Sequence, residues 1–479
     1  MKRSLFTLYS PLFTVKALCT LLFGVAVLLF FGLAYPHHLH YQEQYQLFLF
    51  DSTYMWDVVK VPGGVADLLG RFCTQFFLFA WVGAAIIAAL LSAVQLLTQK
   101  LFSFDFPSLT RRGAGMGAVH YCLSFVPSFL LWLFLLDEHA LMGGVWAVLL
   151  TLLAIWLFVC LPKGWTRRIV IIVTIPVLYF FVGPDLNGSH YHRYPTVFPT
   201  LLYAAWLSAI VLPLVIRILP HVSGRRQPIL HCSLFTITFI IMGSFVWKNA
   251  NFKAEKVMQY DFMARYQQWN RILETINKEK PNNQIGVTVQ NLALAMHGKL
   301  TEHLFDYNQN GLAGLLPDVQ SDATSPLPTA EAFYQLGLIY VAQRTVFEAQ
   351  EAILDFQKSG RCYKRLAQTN LINGSYEVAR KYLMALQKTL FYRQWANETL
   401  PLLGNEEAIA NHPEYGRLRQ WACDEDYYFS DHVTAEMLEN LFFTNTENRL
   451  AYEYLVAYYM LTGDRESYAK LLRELRIKN

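Results

Sequence analysis

The chain has 479 residues, of which 54% are apolar, 15% aromatic and only 16% charged, and its mean hydropathy is +0.25. That balance excludes an ordinary soluble globular protein and puts the chain among membrane proteins. The net charge of +4 marks no nucleic-acid binder, because it is laid out unevenly: residues 1–247 hold 15 of the 40 Lys and Arg but only 8 of the 36 Asp and Glu.

A helix needs roughly 20 mainly apolar residues to cross a bilayer with its backbone satisfied. Seven runs approach that length, near residues 14–35, 71–97, 114–136, 140–161, 167–184, 197–218 and 230–247. The third and fourth are separated only by Asp137, Glu138 and His139, which reads as a tight hairpin. The fifth is short and contains Pro176. PHHLHYQEQ after the first run offers no small-residue cleavage site, so that run reads as an uncleaved signal anchor.

Basic side chains are retained on the cytoplasmic side of inserted helices. Lys2, Arg3 and Lys16, then Lys100, Arg111 and Arg112, then Lys163, Arg167 and Arg168, then Arg217, Arg225 and Arg226 fall in alternate connections. The others hold Glu43, Asp51, Asp57, Asp67, Asp137, Glu138 and Asp185. The expected arrangement is an inner-membrane protein with a cytoplasmic N-terminus and a periplasmic C-terminal half.

The segment YPHHLHYQEQYQLFLFD, residues 35–51, then lies on the outer side with Asp137–His139 and with residues 185–195. Three readings compete for it. Its histidines, His37, His38 and His40, with His190 and His192, could ligate a transition metal beside Glu43, although no pair has the spacing of a zinc motif. Glu43 or Asp51 could serve as a general base, as in membrane glycosyltransferases that take sugars from lipid-linked donors and keep an essential acid in the first external loop. The leading reading is an amphipathic belt in which Gln42, Glu43, Gln44 and Gln46 face water, Leu47–Phe50 enter lipid or the bundle, and Pro62-Gly63-Gly64 turns the chain toward the second crossing.

Transport has little support, since only His120, Gln75, Gln95 and His231 are candidate polar groups within the runs. No glycine loop suited to phosphate is present, and no cofactor is implied. Cys19, Cys73, Cys122, Cys160 and Cys232 read as packing residues of the apolar runs. Cys362 and Cys423 are expected as separate thiols rather than a bridge.

From Lys248 the chain turns polar and helical in period, apart from an expected loop at residues 311–328. A pattern recurs at about 34 residues, the tetratricopeptide period. The clearest unit is YKRLAQTNLINGSYEVARKYLMAL, with Leu366, Ala367, Gly374, Tyr376, Ala379, Leu383 and Leu386 at the repeat positions. AYEYLVAYYMLTGDRESYAKLLREL is a second. YQLGLIYVAQRTVFEAQEAIL, with Gly337, Tyr340 and Ala349, is a third, lacking the turn glycine. Residues 255–479 thus resemble the tetratricopeptide repeat superfamily, which implies a groove for a partner's peptide or helix. Trp269, Tyr340 and Tyr376 are its candidate binding residues, each equally readable as core.

The outer EQYQLF, the PGG turn, YDFMARYQQWNRIL and NLALAMHGKL together resemble an uncharacterised family of multi-pass membrane proteins from Bacteroidota. The resemblance implies an inner-membrane protein with its repeats in the periplasm and brings no activity with it. The expected fold is all-α: a bundle of about seven transmembrane helices over residues 1–247, then a soluble tetratricopeptide-like α-solenoid over residues 248–479. The expected function is a lipid-embedded scaffold or assembly factor that binds another envelope protein. The alternative is the lipid-linked-sugar glycosyltransferase using Glu43 or Asp51.

Overall fold

Among the described residues, four helices are long and apolar enough to cross a membrane: Val15–Ala34, Ala80–Phe102, Met142–Cys160 and Cys232–Asn249. They belong to a computed structural model that describes residues 11–102, 118–161, 199–215, 227–318, 325–353, 357–423 and 434–478, with no strand among them. Contacts divide the chain after Phe252 into two compact units.

The first unit contains α1 (Pro11–Leu29, prolonged by a π-helical turn Phe30–Ala34), α2 (Pro36–Gln42), α3 (Ser52–Val59), α4 (Gly64–Thr74), α5 (Ala80–Phe102), α6 (Ala118–Leu123), α7 (Val126–Phe134), α8 (Met142–Cys160), α9 (Pro199–Val215) and α10 (Gln227–Asn249). Leu18, Leu21, Leu22, Leu29 and Leu33 on the first span and Ile237, Ile240, Ile241 and Phe245 on the last are exposed. Water would not tolerate such continuous apolar faces, whereas lipid requires them.

Four of the seven expected crossings are therefore full-length. The fifth, 167–184, lies outside the described residues. The third and sixth are shorter apolar helices, Ala118–Phe134 and Thr200–Pro213. The third breaks between α6 and α7 because Pro127 has no N–H to donate and its ring crowds the carbonyl four residues back, at Leu123. The second crossing begins at Ala80, not at residue 71. Residues 64–74 form the separate helix α4, whose Asp67 and Arg71 pair at 2.5 Å, and a 3-10 turn at Gln75–Leu78 intervenes.

Glycines set the closest approaches. A Cβ on Gly32 would meet the Trp81 ring at 2.6 Å, and one on Gly70 would meet the Gly143 nitrogen at 2.4 Å, so α1 reaches α5 and α4 reaches α8 only where side chains are missing. Several polar groups inside the bundle are satisfied between helices. Thr20 Oγ1 donates to Gln95 Oε1 at 3.0 Å, Gln95 Nε2 to Ser124 Oγ at 3.0 Å, and Ser128 Oγ to the Leu91 carbonyl at 2.8 Å. Gln95 is thus a structural residue of the bundle.

The second unit starts with α11 (Phe252–Arg265), α12 (Trp269–Glu279), α13 (Gln284–Met296) and the single turn α14 (Leu300–His303). Helix–turn–helix pairs follow: α15 (Pro326–Leu336) with α16 (Ile339–Ala352), and α17 (Gly360–Ile372) with α18 (Tyr376–Gln387). Then come α19 (Arg393–Thr399), α20 (Glu406–Ala410), α21 (Tyr415–Trp421), α22 (Thr434–Thr444), α23 (Arg449–Thr462) and α24 (Arg465–Lys478). Gly374 (φ +77°) and Gly463 (φ +72°) form the turns expected of them. The third repeat is corrected: it does not lack a turn glycine, because Gly337 (φ +99°) is itself the turn between α15 and α16.

Candidate functional site

The histidine-rich segment packs against the hairpin at residues 135–140. His38 is fully buried, stacks near Tyr35 with ring centres 4.6 Å apart, and donates from Nε2 to the Leu135 carbonyl at 2.9 Å. Burial lowers its pKa to about 4, against a smaller opposing effect of that hydrogen bond. Gln42 Nε2 donates to the Asp137 and Ala140 carbonyls, each at 3.2 Å. Tyr41 and Tyr45 hydroxyls are 2.5 Å apart, and the Tyr45 ring lies 5.4 Å from His139.

The expectation that Gln42, Glu43, Gln44 and Gln46 face water is corrected, since all four are buried. Gln42 is taken up by carbonyls of the hairpin, and Gln46 turns to α4, where its Nε2 reaches Asp67 Oδ1 at 3.5 Å. The segment is thus a folded junction of the bundle rather than a flat amphipathic belt. His38 commits its Nε2 to a carbonyl, and no group of three or more His, Cys, Asp or Glu able to hold a metal occurs among the described residues. His190 and His192 lie outside them. Asp51 caps α3, its Oδ1 accepting from the Tyr54 amide at 3.0 Å.

A cavity of about 340 Å³ lies beside this junction, walled by Leu133, Phe134, Leu201 and Phe245 and edged by Asp137, Glu138, Asn249 and Asn251. Neither Glu43 nor Asp51 lines it.

In the second unit, α17 turns one face of charge inward. Arg361, Lys364, Arg365 and Gln368 recur at i, i+3, i+4 and i+7, the spacing of one helical stripe. Arg361 holds Asp261 of α11 through two hydrogen bonds of 2.6 and 2.7 Å. Arg365 lies over the Tyr334 ring, 3.6 Å from its centre, and donates from Nη2 to Glu331 Oε2 at 2.5 Å. Gln335 donates to the other oxygen of Glu331 at 2.9 Å. Glu414 accepts from the Tyr334 hydroxyl at 2.8 Å and from Gln368 at 3.5 Å. Burial, then the Glu414 carboxylate, push the Tyr334 phenol well above its ordinary value. Lys364 lies over Trp395, 5.0 Å from the ring centre, and is held below the usual lysine value by burial and then by Arg265 and Arg365.

This seam is the strongest candidate site in the chain, because an enclosed face of unlike charges and aromatic rings is costly to build for packing alone. The family of unknown function DUF6057 matches residues 11–186 and 184–478. The chain belongs to DUF6057. No curated protein and no solved structure matches this DUF6057 member, so the seam is read from its own chemistry.

The sequence-derived binding residues lie elsewhere in the same unit. Trp269 on α12 is half-buried against two apolar clusters. Tyr340 on α16 is 49% exposed. Tyr376 at the start of α18 bonds Glu406 and accepts from Arg419 Nη2 at 3.0 Å, fastening α18 to α20 and α21. None of the seam residues is among these three. The polar stripe of α17 does carry a signal in the sequence, within the repeat YKRLAQ, but apolar periodicity does not reveal it. Cys362 and Cys423 are both free thiols, Cys362 buried beside Leu327 and Leu366.

Proposed function

We propose that this DUF6057 member is a membrane-anchored binding protein whose second unit is a tetratricopeptide-like array on the periplasmic side, receiving a segment of another envelope protein. The observation that carries the reading is the seam on α17. Four polar side chains at helical spacing turn toward Asp261, Tyr334, Glu331, Glu414 and Trp395 instead of toward bulk water. Paired helices stacked on one another leave such a face as their natural recognition surface. The alternation of basic and acidic connections supports the orientation.

The test is site-specific photocrosslinking in intact cells of the source organism. A photoreactive residue at Tyr266, exposed beside Arg265 of the seam, should give an adduct of one discrete mass, whereas one at Met384, exposed on α18, should not. Adducts of equal yield at both positions, or none at Tyr266, would reject the proposal.

The cavity favours a second reading in which the first unit takes up an amphiphile, its tail against Leu133, Phe134, Leu201 and Phe245 and its head toward Asp137 and Glu138. A lipid-linked sugar is such a molecule. Copurified lipid that disappears in Phe245→Trp, measured by mass spectrometry of the purified protein, would support this reading; unchanged lipid would count against it.

A further inference from the structure

The charges of the seam are not all paired in direct contact. Asp261 is engaged by Arg361, Glu331 by Arg365 and Gln335, and Glu414 by Tyr334 and Gln368. Lys364 is the cation of this stripe that makes no contact ion pair among the described residues. It has the Trp395 ring at 5.0 Å and, among the described residues, no carboxylate within ion-pair distance. Next to it, Arg365 spends Nη2 on Glu331, while its buried Nη1 meets no hydrogen-bond acceptor among the described residues.

Two observations of different kinds therefore point to the same missing group. A buried guanidinium N–H without an acceptor costs free energy that only a hydrogen-bonding ligand or water recovers. A half-buried ammonium that feels two guanidinium groups, and has the Glu414 and Glu331 carboxylates near but out of contact, has no direct ion-pair partner among the described residues. An oxyanion reaching both would accept a hydrogen bond from each. Charge-assisted bonds of that type are the strong ones, and a planar guanidinium edge beside an ammonium suits carboxylate and phosphate alike. The partly buried Trp395 ring adds a face against which the carrier of the anion can pack.

We propose that Lys364 and the Nη1 edge of Arg365 form an oxyanion site that takes a carboxylate or phosphate borne by the segment the second unit receives. The inference rests on the binding reading above and gives that segment its chemistry: it carries negative charge at the point where it crosses α17. Lys364 supplies the charge and Arg365 the direction.

The test uses the full chain in nanodiscs, with reductive methylation read by mass spectrometry at Lys364 and at the exposed Lys381 as an internal standard. Inorganic phosphate and a hexaglutamate peptide are each compared with chloride at equal ionic strength. Protection of Lys364 by about tenfold with Lys381 unchanged is expected, and Arg365→Lys should reduce that protection while keeping the charge. Protection by phosphate alone identifies a phosphate-bearing ligand, by the peptide alone an acidic segment, and by both a general oxyanion site. Equal labelling of Lys364 under all conditions would overturn the site. Crosslinks at Tyr266 that persist in that event would leave the binding function standing without it. Protection without crosslinks would keep the site and remove the protein partner.

Discussion

Arg361 grips Asp261 with both guanidinium Nη atoms across 100 positions of chain, tying α17 to α11. Both side chains are about nine-tenths buried, at 9% and 12% exposure. Removing one partner leaves a bare charge in a poorly solvated place, which costs roughly 3–5 kcal/mol, whereas removing both costs far less. Asp261→Ala is therefore expected to lower the stability of the second unit by about 3 kcal/mol in urea unfolding of the full chain. The double variant Asp261→Ala with Arg361→Met should recover a large part of that loss. Additive losses would mean that the pair is not coupled.

His38 makes the first unit sensitive to acid. Its ring is neutral when folded and its pKa is about 4, while the unfolded ring has the ordinary value of about 6.5. Between these values the unfolded state binds the extra proton, so stability is full above about pH 6.5 and falls as the pH drops toward 4. The total is about 3 kcal/mol, because each tenfold loss of proton affinity on folding is worth ~1.4 kcal/mol. Melting temperatures in detergent across pH 7 to 4 should decline more steeply for the native chain than for His38→Gln, whose amide can still donate to Leu135. Parallel curves would contradict the assignment.

These two residues also separate what the sequence could reveal from what it could not. Hydropathy exposed the spans because lipid acts on each segment alone, and Gly374 and Gly463 marked their turns because a left-handed backbone is a local demand. The fate of Gln42 is not local. Its amide is matched by carbonyls at Asp137 and Ala140, far along the chain, and a polar stretch beside an apolar run carries no mark of such a partner. Helix α4 merges into the second crossing for a related reason: residues 72–97 hold no charge, so the 3-10 break at Gln75–Leu78 leaves no mark in the apolar run. The charged stripe of α17 is visible at its 3.6-residue spacing, but its enclosure depends on Asp261, Glu331 and Glu414, all distant in sequence.

Gly337 and Gly374 close successive helix pairs, yet they should not tolerate change equally. An alanine Cβ at Gly374 would meet nothing within 4 Å, so only the left-handed backbone is strained, at about 1 kcal/mol. At Gly337 the Cβ would also come within 3.0 Å of Trp421 Cβ. Gly337→Ala is expected to cost at least ~1 kcal/mol more than Gly374→Ala, because α21 must shift as well. Equal costs by chemical denaturation would show that the α15–α16 turn does not press on Trp421.

Asp51 offers a separation between structure and chemistry at the first loop. Its carboxylate accepts the Tyr54 amide proton at the start of α3, a bond that an asparagine side chain can also make. Asp51→Ala should therefore lower stability by about 1 kcal/mol, and Asp51→Asn by much less. A general base must lose its action in both variants, since the amide cannot take a proton at neutral pH. Growth complementation in a strain lacking the chain separates the cases. If Asp51 is a cap, Asp51→Asn complements fully and any defect of Asp51→Ala follows its melting temperature. Failure of a fully folded Asp51→Asn would restore the transferase reading, because no loss of packing could then account for the defect.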